Sequence, residues 1–373
     1  MNSLPALRIV HIDTGLSLRG GQRQMLMLAR GLRERGHEQV IVCLEGTTLE
    51  ERAQRLGFRV FSLPAYDPGH AFGILLWRDQ LKTWAPHILH AHDGRGQTLA
   101  WLASMGLPVR RVASRRVTFF PSDRWTYRLK YGRTCHAVVA VSENIRELSV
   151  QAGVPPERIT VIPDGIEVPA ELPSATERLR LRNSWQCKDD DFVVGLLGAS
   201  TPEKGQDLAL AALELLADNL PEARLVLAGD EVAIPGDRLM HGAGPNSTRI
   251  IRLGPLEDLA SLFPGLDLFV MPSKAEGLGS SALWAMAYGL PVVATRVGGL
   301  PEIVVENETG WLIPPGSPQA LADAILLASR DREKLIEFGR NGRKRADGFS
   351  AAIMVTRTET LYQHLVGDKL PRC

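Results

Sequence analysis

Short apolar runs alternate along the chain with longer segments whose apolar residues recur at helical spacing. LRIVHID (7–13) is a run of strand type. The segment opening at Gly20-Gly21 then sets Met25, Leu28, Ala29 and Leu32 on one helical face, and Gly36 stops it. QVIVCL (39–44), RVFSL (59–63), HILHAH (87–92), RRVAS (110–114) and HAVVAVS (136–142) continue the series, each beside a helical segment. This repetition predicts a parallel sheet covered on both faces.

The Pro-rich stretch 153–172, followed by the charged ATERLRLRNSWQCKDDD, predicts an interdomain linker. The pattern then restarts. FVVGLLG (192–198), ARLVLAG (223–229), RIIRLG (249–254), LDLFVMP (266–272) and PVVAT (291–295) read as buried strands. Helices are expected near 205–218, 257–263, 280–289 and 317–329, with two more near 331–347 and 351–366. The architecture this predicts is α/β: two doubly wound domains, 1–168 and 169–350, facing a central cleft. Ligands of such sheets sit outside the carboxyl ends of the strands, so loops that follow strands are where chemistry is expected.

Charge adds a polarity to this picture. The whole chain carries a net +1, but residues 1–170 carry +7 and the remainder −6. The first half is therefore suited to an anionic partner, or simply presents a solvated face. The four cysteines are far apart and form no C-x-x-C pair, which fits reduced thiols better than a disulfide or zinc framework. The N-terminal MNSLPALRIVHIDTG lacks a cationic stretch ahead of an apolar one, so no secretion signal is expected. No apolar stretch approaches the roughly 20 residues of a membrane span.

Three loops stand out. In DTGLSLRGGQRQ, Gly20 and Gly21 let backbone amides at a helix start approach an anion; a plain Gly-rich turn is the competing reading. In GASTPEKGQD, Lys204 stands at a helix start, where a cation beside unpaired amides suits a diphosphate. In MPSKAEGLGSSALWAMAYG, Glu276 can accept hydrogen bonds from sugar hydroxyls, while Gly277, Leu278, Gly279, Ser280 and Ser281 bring amides to phosphate oxygens. There Glu276 could equally be a helix-entry cap. Neither G-x-G-x-x-G nor a P-loop is present, which disfavours a nicotinamide dehydrogenase.

His90 and His92 share a face of one strand by its period of two. No further ligand cluster is evident, so no metal site is expected; His92-Asp93 at the strand end suits substrate contact, or a structural role. The stretch 110–133 holds eight basic residues and one acid with aromatics between them. It could hold an anionic acceptor, with Arg115 and Arg116 as candidates, touch a membrane surface, or form a solvated face; no nucleic-acid motif accompanies it.

Taken together these segments resemble retaining glycosyltransferases of family 4, which have the GT-B fold of two Rossmann-like domains. The resemblance rests on Glu276-Gly277-Leu278-Gly279, Ala285-Met286-Ala287-Tyr288-Gly289, PVVAT, Gly298-Gly299 and Glu302, and on PEKGQDL, RGGQRQ, HAHDGRGQTLAW and VAVSENIRE. RGGQRQ and SRRVTF look most like members that build lipopolysaccharide core or other envelope glycans. The resemblance implies that Lys204 binds the donor diphosphate and that Glu276 contacts the donor sugar. It places Gly20-Gly21 over the diphosphate, and Leu253, Gly254 and Leu256 near the base with Trp284. It further implies a nucleotide diphosphate sugar as donor, a glycan or lipid-linked acceptor, no metal or other cofactor, and work at the cytoplasmic face, with peripheral membrane contact through 110–133 as one reading. The helix 351–366 is implied to return to the first domain.

The chain departs from the family pattern at three places. Trp284 stands where a second acidic residue holds the ribose, Ala199 where many members have Arg, and Ser114-Arg115-Arg116 where many have His. Trp284 keeps open the reading of a non-catalytic glycosyltransferase-like binding or scaffold protein, and a nucleotide-sugar epimerase of the same architecture stands as a third reading.

Overall fold

The computed structural model describes residues 5–64, 71–118, 124–229 and 247–367. The chain divides into two compact units. One comprises the chain up to Gly165 and again from Ala351, and the other runs from Ile166 to Ser350.

The first unit is built from β1 (Arg8–Ile12), α1 (Gly20–Glu34), β2 (Glu38–Leu44), α2 (Thr48–Arg55), β3 (Arg59–Leu63), α3 (Ala71–Trp84), β4 (Ile88–Ala91), α4 (Gly94–Ala103), β5 (Arg110–Arg115), α5 (Arg124–Tyr127), β6 (Ala137–Ala140), α6 (Glu143–Gln151) and β7 (Ile159–Val161). Its seven strands lie in the order β3-β2-β1-β4-β5-β6-β7, and every pairing is parallel. Central strands are sealed on both faces, which is why they read as unbroken apolar runs.

The boundary between the units, Gly165 to Ile166, falls within the stretch 153–172 expected to be a linker, but part of that stretch is a strand. Ile159-Thr160-Val161 is β-branched throughout and forms β7 at the sheet edge, pairing with β6. The charged stretch after it forms helix α7 (Ala175–Ser184), opened by a capping box of Ser174 and Glu177. Its arginines dock it: Arg178 Nη2 lies 2.5 Å from Asp267 Oδ1, and Arg182 pairs with the other carboxylate oxygen.

The second unit continues with β8 (Phe192–Leu197), α8 (Gln206–Leu215), β9 (Ala223–Ala228), β10 (Ile250–Gly254), β11 (Leu268–Met271), α9 (Ser280–Ala287), β12 (Val292–Thr295), α10 (Leu300–Ile303), β13 (Gly310–Ile313), α11 (Pro318–Arg330) and α12 (Arg332–Ala346). Its six parallel strands run β10-β9-β8-β11-β12-β13. Two expectations fail. The short GWLI run forms an unforeseen sixth strand, β13, beside β12. The helix expected near 257–263 is instead two 3-10 turns, Leu259–Ser261 and Phe263–Gly265. Pro264-Gly265 cuts the segment short, and Asp258 caps only Ala260, leaving too little length for an α-helix.

The last helix, α13 (Ala351–Gly367), belongs to the first unit. Met354, Val355 and Tyr362 are buried among Leu7, Leu28, Leu32 and Val112. At its surface Glu359 accepts from Arg35 Nη1 at 2.5 Å and meets His37 Nε2 at 2.9 Å.

Candidate functional site

Each sheet ends in a polar site of its own. In the second unit, Lys204 and Glu276 stand 72 residues apart in sequence, yet Lys204 Nζ lies 2.6 Å from Glu276 Oε2. Both follow strands, Lys204 after β8 and Glu276 after β11. The side chains are 29% and 13% exposed, so the pair sits at the surface of the unit with its faces still reachable. Ser273 Oγ lies 3.4 Å from the same carboxylate oxygen. The loop that carries Glu276 is held by close backbone packing: Gly298, at φ +53°, lies so near the Glu276 carbonyl that a side chain there would collide with it.

Gly277, Leu278 and Gly279 are buried, and Gly279 turns the chain into α9 at φ +101°. Ser280 and Ser281, half-buried, open that helix; the amides of Ala282 and Leu283 already donate to the Gly279 carbonyl, while those of Ser280 and Ser281 come before any intrahelical acceptor. A recess at the ends of β8, β9 and β10 is lined by Gly198, Ser200, Gln206, Gly229, Arg252 and Gly254. Leu253 and Gly254 are half-buried in β10, and Leu256 is half-buried just beyond it. Trp284 is half-buried on α9 while Leu283, Ala285 and Met286 beside it are sealed, so it is not a core residue.

The first unit ends in a different kind of site. His11 of β1 pairs in register with His90 of β4, and His92 follows on the same face. All three are buried, at 0%, 1% and 6% exposure. Their ring nitrogens lie within 4.8 Å of one another, the spacing of a metal site. Those nitrogens are nevertheless spent on hydrogen bonds. Arg116 Nη1 donates to His92 Nδ1 at 3.3 Å, because a guanidinium can only donate. His92 Nε2 then carries the proton and donates to His11 Nδ1 at 3.1 Å, and His11 Nε2 donates to Gln39 Oε1 at 3.0 Å. His90 bridges Tyr362 of α13 (2.5 Å) and Ser114 (2.8 Å). With a cation already beside it, the cluster is a neutral, directional hydrogen-bond network rather than a ligand set.

Burial keeps it neutral. It lowers the pKa of His11 to about 4, and lowers His90 and His92 well below the ordinary value, with neighbouring positive charge adding to both. The network ends at Arg116, whose Nε also binds Asp164 at 2.9 Å. One ring nitrogen of His92 faces His11 and the other Arg116, so both are taken up within the network.

Asp93 caps α4: its carboxylate accepts from the amides of Thr14, Arg95 and Gly96 and from the Thr14 hydroxyl. Beside it is Asp13, which sequence reasoning missed. Asp13 accepts from Gly15 N and Gln22 Nε2, both at 2.8 Å, and burial followed by the nearby Asp93 raises its pKa. The signal was there in a shared ending, since His11-Ile12-Asp13 and His90-Ala91-His92-Asp93 both place a histidine two before the strand-end polar residues. Gly20 and Gly21 open α1. A side chain at Gly20 would meet nothing, and one at Gly21 would reach only Arg116 Cδ at 3.9 Å, so packing does not require glycine at either position. Arg115 is buried at the end of β5. Residues 119–123 of the basic stretch, and Cys373, lie outside the described residues. Among the described residues no helix is long and apolar enough to cross a membrane.

Two family models match the chain: Glycosyltransferase Family 4 over residues 18–168, and Glycosyl transferases group 1 over residues 177–345. The chain is 30% identical over 251 residues to a D-inositol 3-phosphate glycosyltransferase of Corynebacterium glutamicum, a stretch covering 62% of this chain and 57% of that protein. It thus spans little more than half the length of that relative. It is 27% identical over 351 residues to a GDP-mannose-dependent alpha-(1-6)-phosphatidylinositol monomannoside mannosyltransferase of Mycolicibacterium smegmatis, covering 87% of this chain and 90% of that one. In fold it is similar to Anabaena Alr3699/HepE, solved in complex with UDP, with a TM-score of 0.84 at 22% identity over 95% of this chain and 99% of that one.

Proposed function

Since the chain belongs to the glycosyltransferase group 1 / family 4 superfamily of GT-B enzymes, we propose that it moves a sugar from a nucleotide diphosphate sugar to a glycan or lipid-linked acceptor of the cell envelope, with retention at the anomeric carbon. The observation that carries this reading is the convergence of Lys204 and Glu276 beside the start of α9. In this reading Lys204 and the leading amides of α9, those of Ser280 and Ser281, stabilise charge that grows on the leaving diphosphate. Glu276, released from Lys204 when a diphosphate takes its place, accepts hydrogen bonds from the donor sugar. No protein nucleophile is required, as the leaving diphosphate takes the acceptor's proton. Leu253, Gly254, Leu256 and the exposed face of Trp284 receive the nucleoside, an aromatic surface replacing a carboxylate. In the first unit, His92 acts by positioning Arg116 beside Gly20-Gly21.

The names of the relatives, which specify an inositol phosphate and a phosphatidylinositol mannoside, favour an acceptor that bears a phosphate over a neutral glycan. The test is thermal stability against UDP-, GDP-, ADP- and CMP-sugars and their free nucleotides. A ligand at about a hundred times its dissociation constant adds roughly 2.7 kcal/mol. A shift selective for one base identifies the donor and opens transfer assays. Indifference to the whole panel overturns the reading.

A further inference from the structure

The basic, aromatic stretch divides in the fold, and one part of it builds a cavity. After α5 the backbone makes a π-helical turn, Arg128–Arg133. Between this turn and α4 lies a cavity of about 480 Å³, whose lining includes Gly94, Thr98, Trp101, Arg115, Tyr127 and Lys130. It is contained within the first unit. Two cations enter it from different elements, Arg115 from the end of β5 and Lys130 from the π turn.

Both cations are held in place. The Arg115 guanidinium carbon lies 5.4 Å from the ring centre of Tyr127 and 5.6 Å from that of Tyr131. Lys130 Nζ lies 5.7 Å from the Tyr131 ring. The π turn that carries Lys130 is pinned through its carbonyl, which accepts from Gln97 Nε2 at 3.2 Å and Thr134 Oγ1 at 2.5 Å. Gln97 is fully buried. A π turn is a costly local geometry that recurs at functional sites, and here it presents one ammonium to the cavity. Gly94 leaves room beside that ammonium: even a single added carbon there would stand 3.7 Å from Nζ.

Desolvation works against the Lys130 charge. Burial lowers the pKa of Lys130, Asp93 counters this and Arg115 adds to it. Asp93 already spends its carboxylate on four donors at the start of α4. An anion between Arg115 and Lys130 would relieve the mutual repulsion of the two cations, and the aromatic walls offer faces for an uncharged ring attached to it.

We propose that this cavity binds the phosphate of a phosphorylated sugar or polyol, with the phosphate between Arg115 and Lys130 and the ring against Trp101. It rests on the glycosyltransferase reading, in which this group belongs to the acceptor. The same phosphate chemistry could arrive free in solution or as a lipid headgroup.

Titration of the full chain with inositol 1-phosphate, with free inositol, and with phosphatidylcholine vesicles with and without phosphatidylinositol tests it. Lys130→Ala removes one cation, and Thr98→Phe fills the cavity while leaving both. The phosphate should bind and free inositol should not. Lys130→Ala should weaken phosphate binding about tenfold or more, the loss of one charge-assisted contact, and Thr98→Phe should weaken it at least as much by occupying the ring's place, while the nucleotide-induced thermal shift stays as in the parent in both. Binding of the soluble phosphate assigns the free source. Binding only to phosphatidylinositol vesicles, abolished by the same variants, assigns the lipid. Equal binding of inositol and its phosphate, binding undiminished in both variants, or no binding of either phosphate form overturns the proposal. Phosphate binding without any nucleotide shift would overturn the glycosyltransferase reading and leave the cavity's role standing.

Discussion

The two strand-end sites solve opposite problems with similar sheets. In the second unit, Lys204 and Glu276 keep their charges and find each other at the surface, where a ligand can replace either partner. In the first unit, three histidines are stripped of charge by burial, and every assigned hydrogen bond points inward except the one that ends on Arg116. The first arrangement is exchangeable and the second is fixed. The difference separates residues that can change partners during a reaction from residues whose work is to hold another group still.

Substitution of Lys204 should break the comparison most sharply. Lys204→Ala should lower turnover on the order of a hundredfold, the cost of losing one preorganised electrostatic donor, with the melting point nearly unchanged because the pair is partly solvated. Unaltered turnover would remove Lys204 from the mechanism.

Acid should act on the other site. The pKa of His11 lies near 4 in the fold against an ordinary 6.5, so the unfolded chain takes up this proton first as pH falls. Stability is complete above about pH 6.5 and declines toward pH 4. For His11 alone the loss by pH 5 is about 2 kcal/mol, and His90 and His92 act in the same sense. Asp13, whose pKa is raised, acts in the opposite sense. Urea midpoints at pH 7 and pH 5, for the parent and His11→Gln, isolate the histidine's share. A pH dependence identical in both would show that the buried ring does not set it.

The smallest effect is expected at Tyr362. Tyr362→Phe leaves His90 without one partner and should cost about 1 kcal/mol, read as a lower melting point. An unshifted melting point would mean that the hydroxyl contributes nothing to holding α13.

Much of this was legible in the sequence. Alternating apolar runs located most of the strands, and strand-end loops singled out Lys204, Glu276 and the His90-His92 pair. What escaped depends on neighbours distant in sequence. β7 and β13 are three and four residues long, and they are strands only because β6 and β12 present open edges to them. His11 sits inside an apolar run and gains its meaning only from His90 across the ladder. Tyr362 and Gln39 join the network from far along the chain, and no local pattern marks them. Lys204 and Glu276 were each readable, but their 2.6 Å contact follows from two loops rising from adjacent strands.

The return of α13 sets an order of assembly. The second unit is a single continuous stretch, and once residue 350 has left the ribosome all of it is present. The first unit, although begun before it, still lacks the helix that covers Leu28, Leu32 and Val112 and that supplies the hydroxyl facing His90. Its apolar face stays uncovered until α13 emerges. The part of the protein made first is therefore the last to be finished, and a chain stopped before Ala351 would display a sheet with an open greasy face beside a complete second unit, a natural target for chaperones or proteases.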